Sequence, residues 1–374
     1  MKPYPVGILL AMSLILTACS SQQVVTPTII PTATATAFPV ATATAITTPT
    51  VNPSATATVE LPISPTGSAY LTEALDIMQN NSLHRYSIDW EAFRTSTFLR
   101  AQHAQTTADT YDAIRYALYQ LGDHHSFFRT PEEVAQVEQL TMSDFPLPRA
   151  KLLLDKLGFI AIPGFGSGNL QEDAKYATHI QQLIRDLDTQ EPCGWIVDLR
   201  ENTGGDTFPM LAGLGPVLGK GELGAFIDAD GHKEIWSYQN GEALLAGVAL
   251  TKVNEPVYKL RVASPPVAVL TGVNTGSAGE SVVVAFRGRP KTRSFGLYTY
   301  GVPTGNRGFP LSDGAMIALT TVFFADRTGQ VYGDRIYPDE LVDEARKYTM
   351  IMDEAIPQPA IDWLMSQPEC IAQK

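Results

Sequence analysis

The second half of the chain alternates short apolar stretches with segments of helical periodicity, and this alternation limits the possible fold more than any other feature. The apolar stretches 159–162, 194–199 and 266–270 have the composition and length of buried strands. Residues 174–187 carry apolar side chains at helical spacing, and a further helix is predicted to begin near Ala278. Strands that alternate with helices predict an α/β domain in which helices cover a sheet.

The residues before this region have a helical pattern instead. In residues 107–121 the apolar side chains recur at helical spacing, and Gly122 follows the last of them. We therefore predict a small helical domain over residues 67–145. A core domain is predicted over residues 146–374, where the apolar stretch 315–325 adds one more strand.

The sequence pattern of residues 1–18, at the N-terminus, predicts a lipoprotein signal peptide. Its apolar run is shorter than the roughly 20 residues that a membrane-spanning helix needs. The run ends in the lipobox sequence Leu-Thr-Ala-Cys, which predicts that Cys19 carries a lipid anchor. An ordinary buried cysteine is the alternative. The anchor would hold the protein outside the cytoplasm, on the cell membrane or on an outer membrane.

Residues 19–66 are dominated by threonine, proline and alanine, and residues 20–59 contain no charged side chain. A segment of this composition has too few large side chains to bury to offset the entropy that ordering would cost. Its prolines favour extended conformations. We predict a disordered stalk that lifts the folded part off the membrane, or a tether with no role beyond its length.

Charge and cysteine content narrow the possible partners. The formal net charge is −12 at pH 7, which argues against nucleic acid as a partner. Export would place Cys193 and Cys370 in an oxidising setting. With Cys19 assigned to the lipid, we predict that these two form a disulfide, two free buried thiols being the alternative. No cysteine or histidine spacing suits a structural zinc site, and we predict neither a metal nor a cofactor.

A serine lies at one predicted strand-to-helix turn. Residues 275–280 read Thr-Gly-Ser-Ala-Gly-Glu, which would expose Ser277 at the N-terminus of a helix. Free N–H groups there, including that of Ala278, can bind a developing oxyanion. The structural alternative is that Ser277 only caps the helix, with Glu280 as its partner in a capping box.

Two further segments are candidates for the same site. Residues 198–206 form a second strand-to-helix turn, in which Gly204 or Gly205 would offer another backbone N–H. A serine nucleophile also needs a base, usually histidine. Of the six histidines in the chain, only His124 and His125 lie in a loop of special composition, Leu-Gly-Asp-His-His-Ser. A metal-binding pair is the alternative, although adjacent side chains point apart unless the loop bends.

The order and spacing of these motifs resemble the tail-specific, or C-terminal processing, serine peptidase family, whose core is crotonase-like. The resemblance covers the chain from about residue 107 to the C-terminus. It implies that Ser277 is the nucleophile and that the N–H of Ala278 is one oxyanion donor. It also implies a second donor from Gly204 or Gly205.

One departure indicates which branch of the family is nearer. The bacterial processing branch uses a lysine as the base, and Val302 stands at the matching position, while Lys291 lies outside that turn. The chain is therefore more similar to the branch of the tricorn protease core and the interphotoreceptor retinoid-binding proteins. Active members of that branch take a histidine from a preceding helical subdomain, and the matching residue is His125.

A second departure leaves the orientation of His125 open. That branch often has a glutamate at the position of Tyr332, so Asp334 and Asn306 remain as candidates to orient the imidazole. Many members also carry a PDZ-like module, and the connection 126–147 is too short to hold one. We therefore predict that this module is absent.

These expectations describe a serine peptidase that cuts extracytoplasmic proteins or peptides through an acyl-enzyme on Ser277. The retinoid-binding relatives suggest an alternative, a non-catalytic surface protein that binds apolar or peptide ligands on the same fold. An intact pair of Ser277 and His125 favours the peptidase, since a protein that only binds its ligand has no need to keep both side chains.

Overall fold

The computed structural model describes residues 62–254, 256–343, 348–351 and 354–373. The predicted signal peptide, the lipid attachment at Cys19 and most of the predicted stalk lie outside these ranges. The described residues all belong to one compact unit. No helix among them is long and apolar enough to cross a bilayer.

The described residues contain nine α-helices and two short 3₁₀ helices, Ala108–Thr110 and Met142–Asp144. Several α-helices begin at a capping side chain, as where Asn169 Oδ1 accepts from the N–H of Gln171 at 2.8 Å. The α-helices are α1 (Pro65–Asn81), α2 (Trp90–Arg100), α3 (Tyr111–Gln120), α4 (Pro131–Val137), α5 (Leu170–Asp188), α6 (Thr207–Leu218), α7 (Ala278–Phe286), α8 (Gln358–Met365) and α9 (Pro368–Ile371).

Sixteen strands within the described ranges form two large sheets and one hairpin. The strands are β1 (Phe127–Arg129), β2 (Arg149–Leu153), β3 (Leu157–Ala161), β4 (Gly194–Asp198), β5 (Gly221–Asp228), β6 (Lys233–Gln239), β7 (Glu242–Leu245), β8 (Val248–Lys252), β9 (Val267–Thr271), β10 (Thr292–Gly296), β11 (Thr304–Pro310), β12 (Met316–Asp326), β13 (Val331–Tyr332), β14 (Glu340–Leu341), β15 (Tyr348–Ile351) and β16 (Glu354–Pro357).

The first sheet has the strand order β14-β10-β9-β4-β3-β2 and is parallel except for β2. Strands β3, β4 and β9 are fully buried, as expected for a sheet covered on both faces. Alternate side chains of β4 point to opposite faces. Val197 therefore joins the core beneath α5, α6 and α7, whereas Ile196 packs on the side of α8. The predicted α/β class is confirmed.

The second sheet has the order β1-β12-β5-β6-β7-β8, and β11 and β13 also pair with β12. Strands β5 to β8 were not predicted from the sequence. In β6 the buried residues Trp236 and Tyr238 alternate with more exposed ones, so the strand has no continuous apolar run. Its stability comes from antiparallel neighbours on both edges, which a local pattern does not reveal.

The helical region packs directly on the second sheet. Leu71 of α1 and Ile114 of α3 share one apolar core with Ile317 and Leu319 of β12. Strand β1, which follows α3, pairs with β12 in antiparallel fashion. The boundary proposed between the helical domain and the core domain, after residue 145, stays a prediction, as does the absence of a PDZ-like module.

Cys193 and Cys370 are joined by a disulfide. Cys193 immediately precedes β4, and Cys370 lies in α9, 177 residues later. Both side chains are buried in the core on the α8 side of the parallel sheet. The bond attaches the C-terminal helices to the start of a central strand.

Candidate active site

The turn between β9 and α7 places Ser277 in an unusual backbone conformation. Its φ is 51° and its ψ is −117°, a backbone conformation that residues other than glycine rarely adopt. Such a conformation costs on the order of 1–3 kcal/mol and persists only where the surroundings enforce it. The side chain of Thr275 helps to enforce it, because its Oγ1 donates to the carbonyl of Leu199 at 2.8 Å and accepts from the N–H of Gly272 at 3.0 Å.

The second predicted turn, after β4, lies against the first. The N–H of Gly276 donates to the carbonyl of Asn202 at 3.0 Å. A Cβ atom on Gly204 would lie 2.8 Å from the Cβ of Ser277, and the φ of Gly204 is +111°. Only glycine fits at position 204, for both steric and conformational reasons. The structure thus brings together the two turns that the sequence singled out.

The backbone N–H groups beside Ser277 differ in their partners. Ala278 is the first residue of α7, where an N–H has no intrahelical acceptor. The N–H of Gly204 donates to Asn202 Oδ1 at 3.0 Å. None of the hydrogen bonds formed by the described residues uses the N–H of Ala278 or of Gly205. Of the two glycines proposed as oxyanion donors, Gly205 is therefore the one with a free N–H.

The loop after α3 turns one histidine inward and its neighbour outward. Asp123 Oδ1 accepts from the N–H groups of His125 at 2.9 Å and of Ser126 at 2.7 Å. His124 has a φ of 54°, and this bend separates the two adjacent side chains. The ring of His124 is exposed beside Tyr119, whereas His125 is only 7% exposed. The bend leaves His125 alone to enter the site.

The imidazole of His125 connects the serine to a threonine. Its Nε2 lies 2.9 Å from Ser277 Oγ, and its Nδ1 lies 2.8 Å from Thr304 Oγ1. For the serine hydroxyl to donate its proton to Nε2, the neutral ring must carry its own proton on Nδ1. In that tautomer Nδ1–H donates to Thr304 Oγ1, whose hydroxyl oxygen is able to accept it.

Neither residue suggested by the sequence orients the ring. Asn306 Nδ2 donates to the backbone carbonyl of His125 at 2.8 Å, so it holds the main chain and not the imidazole. Asp334 Oδ1 accepts from the N–H of Arg335 at 2.7 Å. No sequence pattern predicted Thr304, because a hydroxyl in this role has no characteristic spacing from the histidine.

Burial keeps the imidazole uncharged. Removal from water lowers the pKa of His125 from 6.5 to about 4, and the negative charge of Asp123 opposes this shift only in part. Near neutral pH the ring is therefore uncharged, and in the tautomer with its proton on Nδ1 its Nε2 carries none. It can accept a proton from Ser277 Oγ.

Glu280 supports the serine from beneath. Its buried carboxyl accepts hydrogen bonds from four donors: the N–H of Ser277, Thr299 Oγ1, and the N–H groups of Gly301 and Val302, all within 2.5–3.0 Å. Burial raises the pKa of Glu280 to about 7, while these four donors favour the ionised form. Glu280 thus makes the expected capping contact to the backbone of Ser277, and the Oγ of that serine faces His125.

The position at which the bacterial branch carries lysine is occupied by a buried valine. Val302 is 8% exposed, and its N–H is bound to Glu280. Lys291, the nearest lysine in sequence, forms an ion pair with Glu369 at the surface. The base available to Ser277 in this arrangement is the histidine.

Comparison with known proteins agrees with the resemblance drawn from the motifs. The family model described as Peptidase family S41 matches residues 156–342, half of the 374-residue chain. The chain is also 30% identical, over 306 residues, to the nisin-resistance protein of Lactococcus lactis subsp. lactis, an alignment that covers 82% of this chain and 89% of the relative.

The chain belongs to peptidase family S41.

Two solved structures are similar to this S41 member along most of its length. A lipoprotein from Streptococcus agalactiae superimposes with a TM-score of 0.66 and 25% identity, covering 81% of this chain and 97% of the other. The photosystem II D1 C-terminal processing protease gives a TM-score of 0.54 at 17% identity, covering 75% and 94%. At that identity the second likeness shows the shared fold alone.

We expect Gly204→Ala to destabilise this S41 member more than a matched glycine substitution does. The new Cβ would meet the Cβ of Ser277 and also force an unfavourable φ. Gly329 is the control, because its φ is +91° but no atom lies within 4 Å of its ideal Cβ. Urea denaturation should show a loss of about 1 kcal/mol for Gly329→Ala and about 2–4 kcal/mol for Gly204→Ala. Equal losses of unfolding free energy in the two variants would mean that the two turns can move apart without a loss of stability.

The histidine titration gives a second test. With ¹³C-labelled histidine, NMR should show one imidazole with a midpoint near pH 4, and that signal should be missing in His125→Gln. Because the folded pKa lies below the unfolded value of 6.5, the unfolded state binds more protons between these pH values. Acidification through this window should cost about 3 kcal/mol of stability. A midpoint near 6.5 for His125 would contradict the burial described here.

Proposed function

We propose that this S41 member is a serine endopeptidase in which Ser277 is the nucleophile and His125 is the general base. The observation that carries the proposal is the 2.9 Å contact between His125 Nε2 and Ser277 Oγ, in a position shielded from water. Family membership supplies the reaction class, hydrolysis of peptide bonds. The neutral imidazole has the protonation state that the first proton transfer needs.

The proposed mechanism is acyl transfer in two halves. As Ser277 Oγ attacks the substrate carbonyl carbon, His125 Nε2 takes the hydroxyl proton. The carbonyl oxygen becomes an oxyanion that accepts from the N–H groups of Ala278 and Gly205. His125 then gives its proton to the leaving amine, and a water molecule repeats the sequence to release the acid.

Thr304 is proposed as the positioning residue for His125. A carboxylate in this place would both orient the ring and stabilise the imidazolium by its charge. The hydroxyl of Thr304 can only orient the ring, by accepting from Nδ1–H at 2.8 Å. The site thus relies on geometry and on its oxyanion donors more than on charge beside the base.

The substrate and location are proposed from the relatives. The similarity, over 82% of this chain, to a protein named for nisin resistance suggests a small extracellular peptide as substrate, and nisin is the first to test. The likeness to a streptococcal lipoprotein fits the lipobox at Cys19. We propose that the protein is anchored by lipid, faces away from the cytoplasm and acts on peptides that approach the membrane.

The first experiment is labelling of the full-length protein in detergent with a fluorophosphonate, followed by mass spectrometry of the labelled peptide. We expect the label on Ser277, and its loss in Ser277→Ala and in His125→Ala. His232→Ala is the matched control, because His232 is exposed and not in contact with the serine. Nisin should then be cleaved by the wild type and left intact by both site variants.

Each outcome of the labelling and cleavage experiments distinguishes between the proposals. Failure of folded wild-type protein to label between pH 6 and 9 would overturn the peptidase and support the non-catalytic binding protein. Labelling of Ser277 without cleavage of nisin would keep the peptidase and exclude this substrate. Labelling that persists in His125→Ala would remove the histidine from the mechanism.

Substitution of Thr304 tests the positioning role. In Thr304→Val the buried Nδ1–H loses its acceptor, which costs about 1–3 kcal/mol, so labelling of Ser277 should slow by roughly 10–100-fold. Thr304→Ser keeps the hydroxyl and should label at nearly the wild-type rate. The ¹⁵N shifts of His125 should show a mixed tautomer in the valine variant only. Equal labelling rates for the valine and serine variants would contradict the assignment.

A further inference from the structure

Strand β11 is an edge strand that starts at the candidate active site. It runs from Thr304 to Pro310 and pairs with β12 on one side. No other strand in the described ranges pairs with it. An unpaired edge presents backbone N–H and C=O groups that another extended chain can bind.

The ladder shows which groups of β11 face outward. On β12, the N–H of Thr320 donates to Ser126 Oγ and its carbonyl accepts from the N–H of Leu83, both at 2.9 Å. These groups therefore point away from β11. Because backbone direction alternates along a strand, those of Ala318 do so too. Their partners across the ladder on β11, Asn306 and Gly308, must direct their own N–H and C=O groups to the open edge.

Both ends of β11 fit this alternation. Pro310 falls in the outward set, and a proline is tolerated in a sheet where its missing N–H faces no partner. At the other end, the N–H of Phe324 donates to the carbonyl of Pro303 at 3.0 Å, so Pro303 faces β12 and the carbonyl of the next residue, Thr304, points outward. The N–H of Thr304 is bound to the carbonyl of Val302 at 2.7 Å. The open edge spans Thr304–Pro310, about 20 Å at strand spacing.

The edge is continuous with the base and the nucleophile. Thr304 Oγ1 contacts His125 Nδ1, and Asn306 Nδ2 donates to the carbonyl of His125. The strand is therefore fixed in place by the same residue that contacts Ser277. Residues 305–309 are half-exposed, so this edge of the sheet is accessible from solvent.

We propose that the open edge of β11 is the substrate-binding strand. An extended peptide adds to the second sheet beside β11, so that its backbone is held by Asn306, Gly308 and the carbonyl of Thr304, and its scissile bond reaches Ser277. This proposal rests on the proposed peptidase function. Recognition through main-chain groups selects for segments that are unfolded and extended, and it accepts many sequences.

N-methylation of a substrate tests the pairing. The full-length wild-type protein would first be incubated with β-casein, an unfolded protein, and a cleavage site mapped by mass spectrometry. Fluorogenic peptides spanning that site would then carry a single N-methyl group at each position in turn. We expect kcat/KM to fall by about tenfold or more at every second residue on one side of the scissile bond, because only those N–H groups face β11. The intervening positions serve as internal controls.

A variant of the strand gives a second test. Gly308→Pro removes one outward N–H and no N–H of the ladder with β12, and its Cβ would lie 3.0 Å from Sδ of the Met316 side chain. Its peptide kcat/KM should fall by about tenfold, and more than its rate of labelling by fluorophosphonate, which has no backbone to pair. Thermal unfolding would establish that the variant is folded, and if it is not, the N-methyl scan alone decides.

The outcomes separate this proposal from the proposed function. Absence of label on Ser277 in the wild type overturns the peptidase itself. Labelling of Ser277 with an N-methyl scan that shows no alternation, or with no cleavage of β-casein, overturns the β11 proposal alone. A dimer in light scattering that Gly308→Pro converts to monomer, with peptide cleavage unchanged, would assign the edge to a second copy of the chain and overturn the proposal too.

Discussion

Strand β12 is the constraint on which the rest of the site depends. His125 and Ser277 are 152 residues apart in sequence, and their side chains meet only if the helical region is held against the parallel sheet. β12 does this because β1, just after the histidine loop, pairs with it, and β11, which carries Thr304, pairs with its other edge. Its apolar side chains also form the floor of the core under α1 and α3. Histidine and threonine are therefore placed by the same strand.

The site is built with little charge next to the reacting atoms. The imidazole is neutral and is hydrogen bonded to a hydroxyl, while the carboxyl of Glu280 accepts from the backbone N–H of Ser277. Ser277 has an unfavourable backbone conformation, and the neighbouring turn packs so closely against it that only glycine fits at position 204. Strained residues that are held in place by several neighbouring contacts are typical of functional sites, where the orientation of the side chains is critical.

Local patterns were enough to predict part of this arrangement. Strands β3, β4 and β9 were predictable because a strand buried on both faces is a continuous apolar run, and Ser277 because it follows one of them. His125 was preferred to His124 only through resemblance to a family. Strands β5 to β8, the threonine partner of the imidazole and the choice of Gly205 over Gly204 were not predictable. Each depends on which distant backbone groups are already bound, and that is a property of the pairing and not of the local sequence.

The disulfide between Cys193 and Cys370 has a consequence for the resistance of the protein to proteolysis. The loop that it closes contains β4, β9, β12 and Ser277 itself. A single cut by another protease anywhere in that loop leaves two pieces that are still covalently joined. Those pieces also share apolar cores, so the covalent bond and the packing both oppose their separation.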